Sequence, residues 1–275
     1  LLFTNSAKFN WTMNKKILLL SLVMAMYSMC IHGQNRYKIG DTEVEVSLIK
    51  DNIAVPWEII WGDGRIWMTH DNGKVSYLDP NIGQVRTVLS IPDMYSNSDR
   101  IANRMVGIAL SKGFPTTPYV YINYVYKGSN YEQKWDRYEK IVRYRYDAGI
   151  DRLVDPLIIL DGIKVYDGWR IGGKLLMAPD GQQLFLSIGD AKQPTNPEIH
   201  PAWTEIDSKP QSLNSFSGKI IRISIDGTVP VDNPFRVSDD RNVPRNLIWS
   251  LGHRNTQGLA FSPKGQLYYS EHGEN

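Results

Sequence analysis

From residue 40 onward the chain is built of short alternating segments, and no run of 11 or more residues carries apolar side chains at helical spacing. Side chains on a strand alternate between two faces, so a chain written this way buries itself through sheets. Ile59–His70 (IIWGDGRIWMTH) predicts two strands around a Gly-Asp-Gly turn, followed by a strand over Gly73–Leu78. Tyr119–Tyr126 (YVYINYVY) predicts a strand, with Lys140–Tyr146 as its antiparallel partner. Leu175–Gly189 predicts a hairpin turning at Pro179-Asp180-Gly181, Gly218–Ile225 an outer strand, and Leu259–Ser270 the same unit again. The turns are marked by Gly, Pro, Asn and Asp, the residues that suit reversed backbone.

Set against one another, these segments form an internal repeat of roughly 40–50 residues with about four strands each, the signature of a β-propeller. The expected fold is all-β, an incomplete six-bladed propeller with about four units present. The alternative is a β-sandwich with decorated loops. The last unit stops at Glu274-Asn275, straight after an inner hairpin, so the sequence is expected to be a truncated one.

The front of the chain is of another kind. Residues 1–12 are expected to lie outside the mature protein. From Met13, Asn14-Lys15-Lys16 leads into an apolar run from Ile17 to about Cys30 and then Ile31-His32-Gly33, the pattern of a secretory signal peptide over residues 13–33. The run is shorter than the roughly 20 residues that span a bilayer. Cleavage after Gly33 is preferred, leaving 34–275 as the exported portion, periplasmic or secreted, with a lipid anchor at Cys30 as the weaker option. The 31 basic and 29 acidic residues give a net charge of +2. Removal of the leader takes away Lys8, Lys15 and Lys16 and no acid, which turns that balance to −1. This excludes the basic balance of a nucleic-acid binder, and a single Cys excludes a disulfide framework.

Three blocks in order carry a resemblance. The first is Gly172-Gly173-Lys174-Leu175 with Ala178-Pro179-Asp180-Gly181, ending in Ile188-Gly189-Asp190. The second is Ser217–Arg222 with Asp226–Pro230 and Asp232–Phe235. The third is Trp249–Phe261, containing Gly252-His253-Arg254-Asn255, followed by Ser270-Glu271-His272-Gly273. Together, over about residues 41–275, they resemble the soluble glucose/sorbosone dehydrogenases, the quinoprotein aldose sugar dehydrogenases. The resemblance implies a six-bladed propeller that binds pyrroloquinoline quinone (PQQ) and calcium and oxidises the anomeric hydroxyl of sugars, passing electrons to an acceptor. It also implies that Arg254 and Asn255 hold the quinone, that His272 lines the cofactor bed, and that Gly273 and Glu274 offer backbone carbonyls to calcium. Asp190 matches the acid that supports a catalytic His; its alternative reading is a turn residue at a strand end.

The sequence departs from the pattern at the base. The family's block is His, two variable residues, Gly and a basic residue, and here Arg170 stands at the His position, in Arg170-Ile171-Gly172-Gly173-Lys174. Arg stays protonated and cannot accept a proton. The five His are 32, 70, 200, 253 and 272, none of them in this block. His200, in the irregular stretch Gln193–Lys209, is the candidate for a substitute delivered by a loop, whereas His253 is expected to be structural. A family Gln also falls on Ala102, and Glu274 replaces the usual Pro. A second expectation is that Arg170 pairs with Asp190, leaving a binding site without catalysis; separation beyond about 6 Å would exclude it. Asp136–Arg145, mixed in sign, is expected to be a solvated strand edge, and the Asp/Asn pairs to be turns rather than calcium loops.

Overall fold

The computed structural model describes residues 36–95, 106–128, 137–165, 170–190 and 209–273. The expected leader and upstream extension, Ala102, His200 and Glu274 lie outside the described residues. Residues up to Asp51 form one unit, in which β1 (Arg36–Ile39) and β2 (Thr42–Glu45) make an antiparallel hairpin. Everything that follows concerns the second unit, Asn52–Asn275.

Its strands form successive antiparallel meanders. The first sheet runs β3 (Pro56–Gly62), β4 (Arg65–His70), β5 (Lys74–Asp79), β6 (Gln84–Ser90). The second runs β7 (Val106–Leu110), β8 (Tyr119–Lys127), β9 (Arg137–Asp147), β10 (Arg152–Val165). The third runs β11 (Gly172–Met177), β12 (Gln183–Ile188), β13 (Lys219–Ser224), β14 (Ile248–Leu251). A hairpin of β15 (Thr256–Phe261) and β16 (Leu267–Glu271) begins a fourth. Among the described residues the helical content is one turn, α1 (Pro244–Leu247). Strand β7 lies beside β3 and β11, and β11 beside β15, so the first strand of each sheet faces the hub. Three sheets of four strands and half of another, arranged in this way, are blades of an incomplete β-propeller.

The core explains the arrangement. On β8, Val120, Ile122 and Tyr124 enter one cluster with Trp67, Val75 and Val88 of the preceding sheet. Tyr121 and Val125 point the other way, into a cluster with Leu175, Leu184, Leu186 and Ile221 of the following sheet. Phe185 and Ile220 then meet Leu259, Phe261 and Leu267 of the half-sheet. A strand apolar on both faces needs a sheet on each side, which a two-layer sandwich cannot supply and a ring of blades does. The edges of Phe114 and Tyr146 meet the Trp67 indole at centroid distances of 5.2 and 5.3 Å.

Two expectations are corrected. Lys219–Ser224 is not an outer strand: β13 pairs with β12 on one side and with β14 on the other. The chain leaves through Asp226–Val243 and returns through α1 to add the edge. Nor is Arg137–Arg145 a solvated edge, because β9 lies between β8 and β10. Three of its charged residues, Arg137, Glu139 and Lys140, are buried with specific partners. Glu139 Oε1 accepts from Asn123 Nδ2 at 2.6 Å, Lys140 Nζ meets Asp93 at 2.5 Å, and the Arg137 guanidinium stacks 3.8 Å from the Tyr95 ring centre.

Candidate functional site

The three sequence blocks meet at one end of the blades. Gly172 opens β11, Ile188 closes β12, Lys219 opens β13, Thr256 opens β15 and Glu271 closes β16. Backbone bonds outside the sheets tie these ends together. Gly189 N donates to Ile171 O at 2.8 Å, Gly218 N to Gly189 O at 2.9 Å, and His253 N to Gly218 O at 3.1 Å. Asp190 N donates to Arg254 O at 2.7 Å, and His272 N to Asn255 O at 3.1 Å. Such close approach requires glycine. Gly172 has φ of +78°, and a Cβ there would stand 2.6 Å from Ser187 O. A Cβ on Gly189 would collide with the Arg170 carbonyl.

Arg170 and Asp190 are within reach of one another. Arg170 NH1 donates to Asp190 Oδ2 at 3.2 Å, well inside the limit set for their pairing. The acid is the better buried, with 8% of its side chain exposed against 21% for the arginine. Ser217 Oγ donates to Asp190 O at 2.7 Å, fixing the acid's main chain from the opposite side. Arg170, Ile171, Ile188, Gly189 and Ser217, with Lys164 and Val165, line a cavity of about 10 Å³.

Arg254, Asn255, His272 and Gly273 converge beside them. Arg254 NH1 donates to His272 O at 2.5 Å and lies 2.8 Å from His272 Nδ1, which is also 3.0 Å from Gly273 O. Arg254 Nε is buried and has no hydrogen-bond partner. Asn255 Oδ1 accepts from Gly172 N at 3.1 Å and from Gln257 Nε2 at 2.9 Å, so this side chain also braces the start of β11.

Glu271, to which the sequence attached no role, organises this corner. Its Oε1 accepts from the backbone N–H of Arg254 and, at 3.2 Å, from that of Asn255, while Oε2 lies 3.3 Å from His253 Nδ1. Burial pushes its carboxyl up, but the Arg254 N–H, His253 and the Asn255 N–H outweigh this and hold it below the usual carboxylate range. His253 is structural as expected, with Nε2 on Ser250 Oγ at 2.8 Å. His70 is likewise consumed, by Ala54 O at 2.9 Å and Ser76 Oγ at 2.6 Å. The sequence offered one signal for Glu271, an acid two positions before Gly273 at the end of its block.

Lys219 is a further residue that the sequence did not single out. Its fully buried ammonium donates to the carbonyls of Ser217 (2.5 Å), Pro210 (2.9 Å) and Lys209 (3.1 Å). Burial lowers its pKa to about 8. It holds the segment that carries Ser217 against Asp190.

Residues 53–275 match the family model for Glucose / Sorbosone dehydrogenase. The chain belongs to the glucose/sorbosone dehydrogenase family. It is 31% identical over 249 residues to quinoprotein glucose dehydrogenase B of Acinetobacter calcoaceticus, covering 86% of this chain and 50% of that protein. It is 24% identical over 236 residues to the aldose sugar dehydrogenase YliI of Escherichia coli K12, covering 84% and 57%. The PQQ-bound aldose sugar dehydrogenase of Streptomyces coelicolor shares the fold, with a TM-score of 0.63 at 23% identity, over 83% of this chain and 60% of that one. The chain thus spans about half the length of the curated relatives it matches.

The family's cofactors can be tested against the residues present. An anionic, carboxylate-bearing quinone suits the Arg254 corner, where a buried Nε–H faces no acceptor and Asn255 Nδ2 has no partner among the described residues. Calcium takes six to eight oxygens from converging carbonyls, carboxylates and waters. Of the two expected carbonyls the described residues supply one, that of Gly273, beside the Arg254–His272 pair. The described residues do not assemble a calcium cage.

Proposed function

We propose that this face of the propeller is a quinone-dependent sugar site, used for oxidation of the anomeric hydroxyl of an aldose to the lactone. The observation that carries the proposal is the convergence of Arg254, with its unpaired buried Nε–H, and Asp190 at one end of the blades. The bound quinone would supply a two-electron acceptor for the hydride of the sugar carbon. Arg254 would pair with a cofactor carboxylate, and Asn255 Nδ2 would add a neutral donor. Glu271 holds the main chain of both residues in place, and Gly172 lets β11 pass close beneath. Arg170 cannot take the hydroxyl proton; Asp190 and His272 are described groups in the cluster that can accept one, the Glu271 carboxylate being occupied by the Arg254 and Asn255 N–H groups and His253. Export, and an electron acceptor outside the chain, belong to the same proposal. Among the described residues no helix is long and apolar enough to cross a membrane.

The Arg170–Asp190 ion pair favours a second reading, a propeller that binds sugar or a protein partner without oxidising it. The two separate in one experiment. The full-length protein is supplied with quinone and calcium, and dye reduction is followed with several aldoses. Turnover by the wild type supports the oxidation reading. Turnover only after Arg170→His supports the non-catalytic one, and no quinone uptake by either protein removes the redox role altogether.

A further inference from the structure

Asp190 follows β12 and Arg254 lies between β14 and β15, yet the main chain of both is tied to one side chain at the start of β13. The Lys219 ammonium has three N–H donors, and each meets a carbonyl: Ser217 O at 2.5 Å, Pro210 O at 2.9 Å and Lys209 O at 3.1 Å. Among the described residues no carboxylate pairs with this buried cation, so its hold is on backbone alone. Two branches leave those carbonyls. On one, Ser217 Oγ donates to Asp190 O at 2.7 Å. On the other, Pro210 O also accepts from Gly252 N at 2.8 Å, two residues before Arg254. The branches meet where Asp190 N donates to Arg254 O at 2.7 Å. Gly218 cross-links them, with N on Gly189 O at 2.9 Å and O accepting from His253 N at 3.1 Å. The crossing has no slack, since a Cβ on Gly218 would stand 2.4 Å from both His253 O and Pro210 Cβ. The hydrogen bonds therefore form a closed circuit that starts and ends at Lys219 Nζ. It holds the Asp190 main chain, and the carboxylate keeps its separate bond with Arg170. Glu271 secures Arg254 from the β16 side, and this circuit secures it from the β13 side.

We propose that Lys219 is the positioning residue that sets Asp190 and Arg254 relative to one another, and through Arg254 the corner that takes the quinone. Its donors are all spent on carbonyls, so it acts through residues 209–217 and not on a ligand. The link to the quinone rests on the sugar-site reading above, whereas the anchoring of the two residues stands apart from it.

The test is amide hydrogen exchange of the full-length protein, read by mass spectrometry in peptides containing Asp190, in peptides spanning Gly252–Arg254 and in β8. Lys219→Met is expected to speed exchange in the first two about tenfold more than in β8, the worth of one charge-assisted hydrogen bond. Trp67→Ala, which loosens the packing between the first two blades, is the control for general destabilisation and should show no such excess. Affinity for pyrroloquinoline quinone with calcium present, titrated by quenching of tryptophan fluorescence, should fall about tenfold in Lys219→Met. Ser217→Ala keeps the ammonium and its three carbonyls and cuts only the branch to Asp190. It should speed exchange at Asp190 and spare Gly252–Arg254, and it keeps the test decisive where Lys219→Met does not fold. An excess in Lys219→Met no greater than in Trp67→Ala would overturn the proposal, as would wild-type exchange at Asp190 in Ser217→Ala. Faster local exchange with undiminished quinone affinity would overturn the link to the corner. No quinone uptake by the wild type would remove the sugar-site reading, and the exchange pattern would still decide whether Lys219 holds the two residues together.

Discussion

Replacing Glu139 by Gln should stabilise this protein, and by an amount that grows with pH. The carboxyl is fully buried on the inner strand β9, and burial raises its pKa from 4.5 to about 8, partly offset by the Asn123 amide that donates to Oε1. Its Oε2 has no hydrogen-bond partner. Between these two pH values the folded protein keeps a proton that the unfolded chain has released. Stability therefore falls as pH rises from about 4.5 to about 8 and levels off above that. At pH 7 the loss amounts to about 3 kcal/mol, from 1.36 kcal/mol for each pH unit above the unfolded value. Gln keeps an acceptor for Asn123 Nδ2 and never ionises. Denaturant unfolding of both proteins at pH 5, 6, 7 and 8 is the assay. The variant should gain on the wild type by about 1.4 kcal/mol for each unit. A difference that does not change with pH would refute the reasoning. The effect bears on the site as well, since Asn123 Nδ2 also donates to Gly173 O at 3.2 Å, at the start of β11.

Two further outcomes follow from the core. Lys219 has its pKa lowered from 10.5 to about 8 by burial, so the unfolded chain binds the extra proton in that window and stability rises with pH across it. Lys219→Met should lose this slope in alkaline unfolding titrations and, by leaving three carbonyls without a donor, cost about 2–4 kcal/mol at pH 7. Trp67→Ala, which empties a fully buried site between the first two blades, should cost about 3–5 kcal/mol in denaturant unfolding.

The strands were legible in the sequence because a two-residue period follows from backbone geometry alone. Tyr119–Tyr126 and its partner appear as β8 and β9, and the Gly-Asp-Gly and Pro-Asp-Gly turns separate the hairpins expected of them. Asp190, Arg254 and Asn255 were singled out by the resemblance of their blocks and not by periodicity, and the structure brings them to one end of the blades. What alternation cannot say is which strand lies on the far side. Arg137–Arg145 therefore looked like an edge, although β10 covers it, and Lys219–Ser224 looked outermost until β14 closed over it.

The sequence by itself determined a chain of two-faced strands that must pack as successive sheets. Only the tertiary structure set Arg170 against a buried Asp190, 3.2 Å away. It also decided that Glu271 and Lys219 would hold the corner together. The physical reason is that periodicity is a property of neighbouring residues. The partners of a buried charge come instead from segments tens of residues apart, and they exist only once the blades have closed on one another.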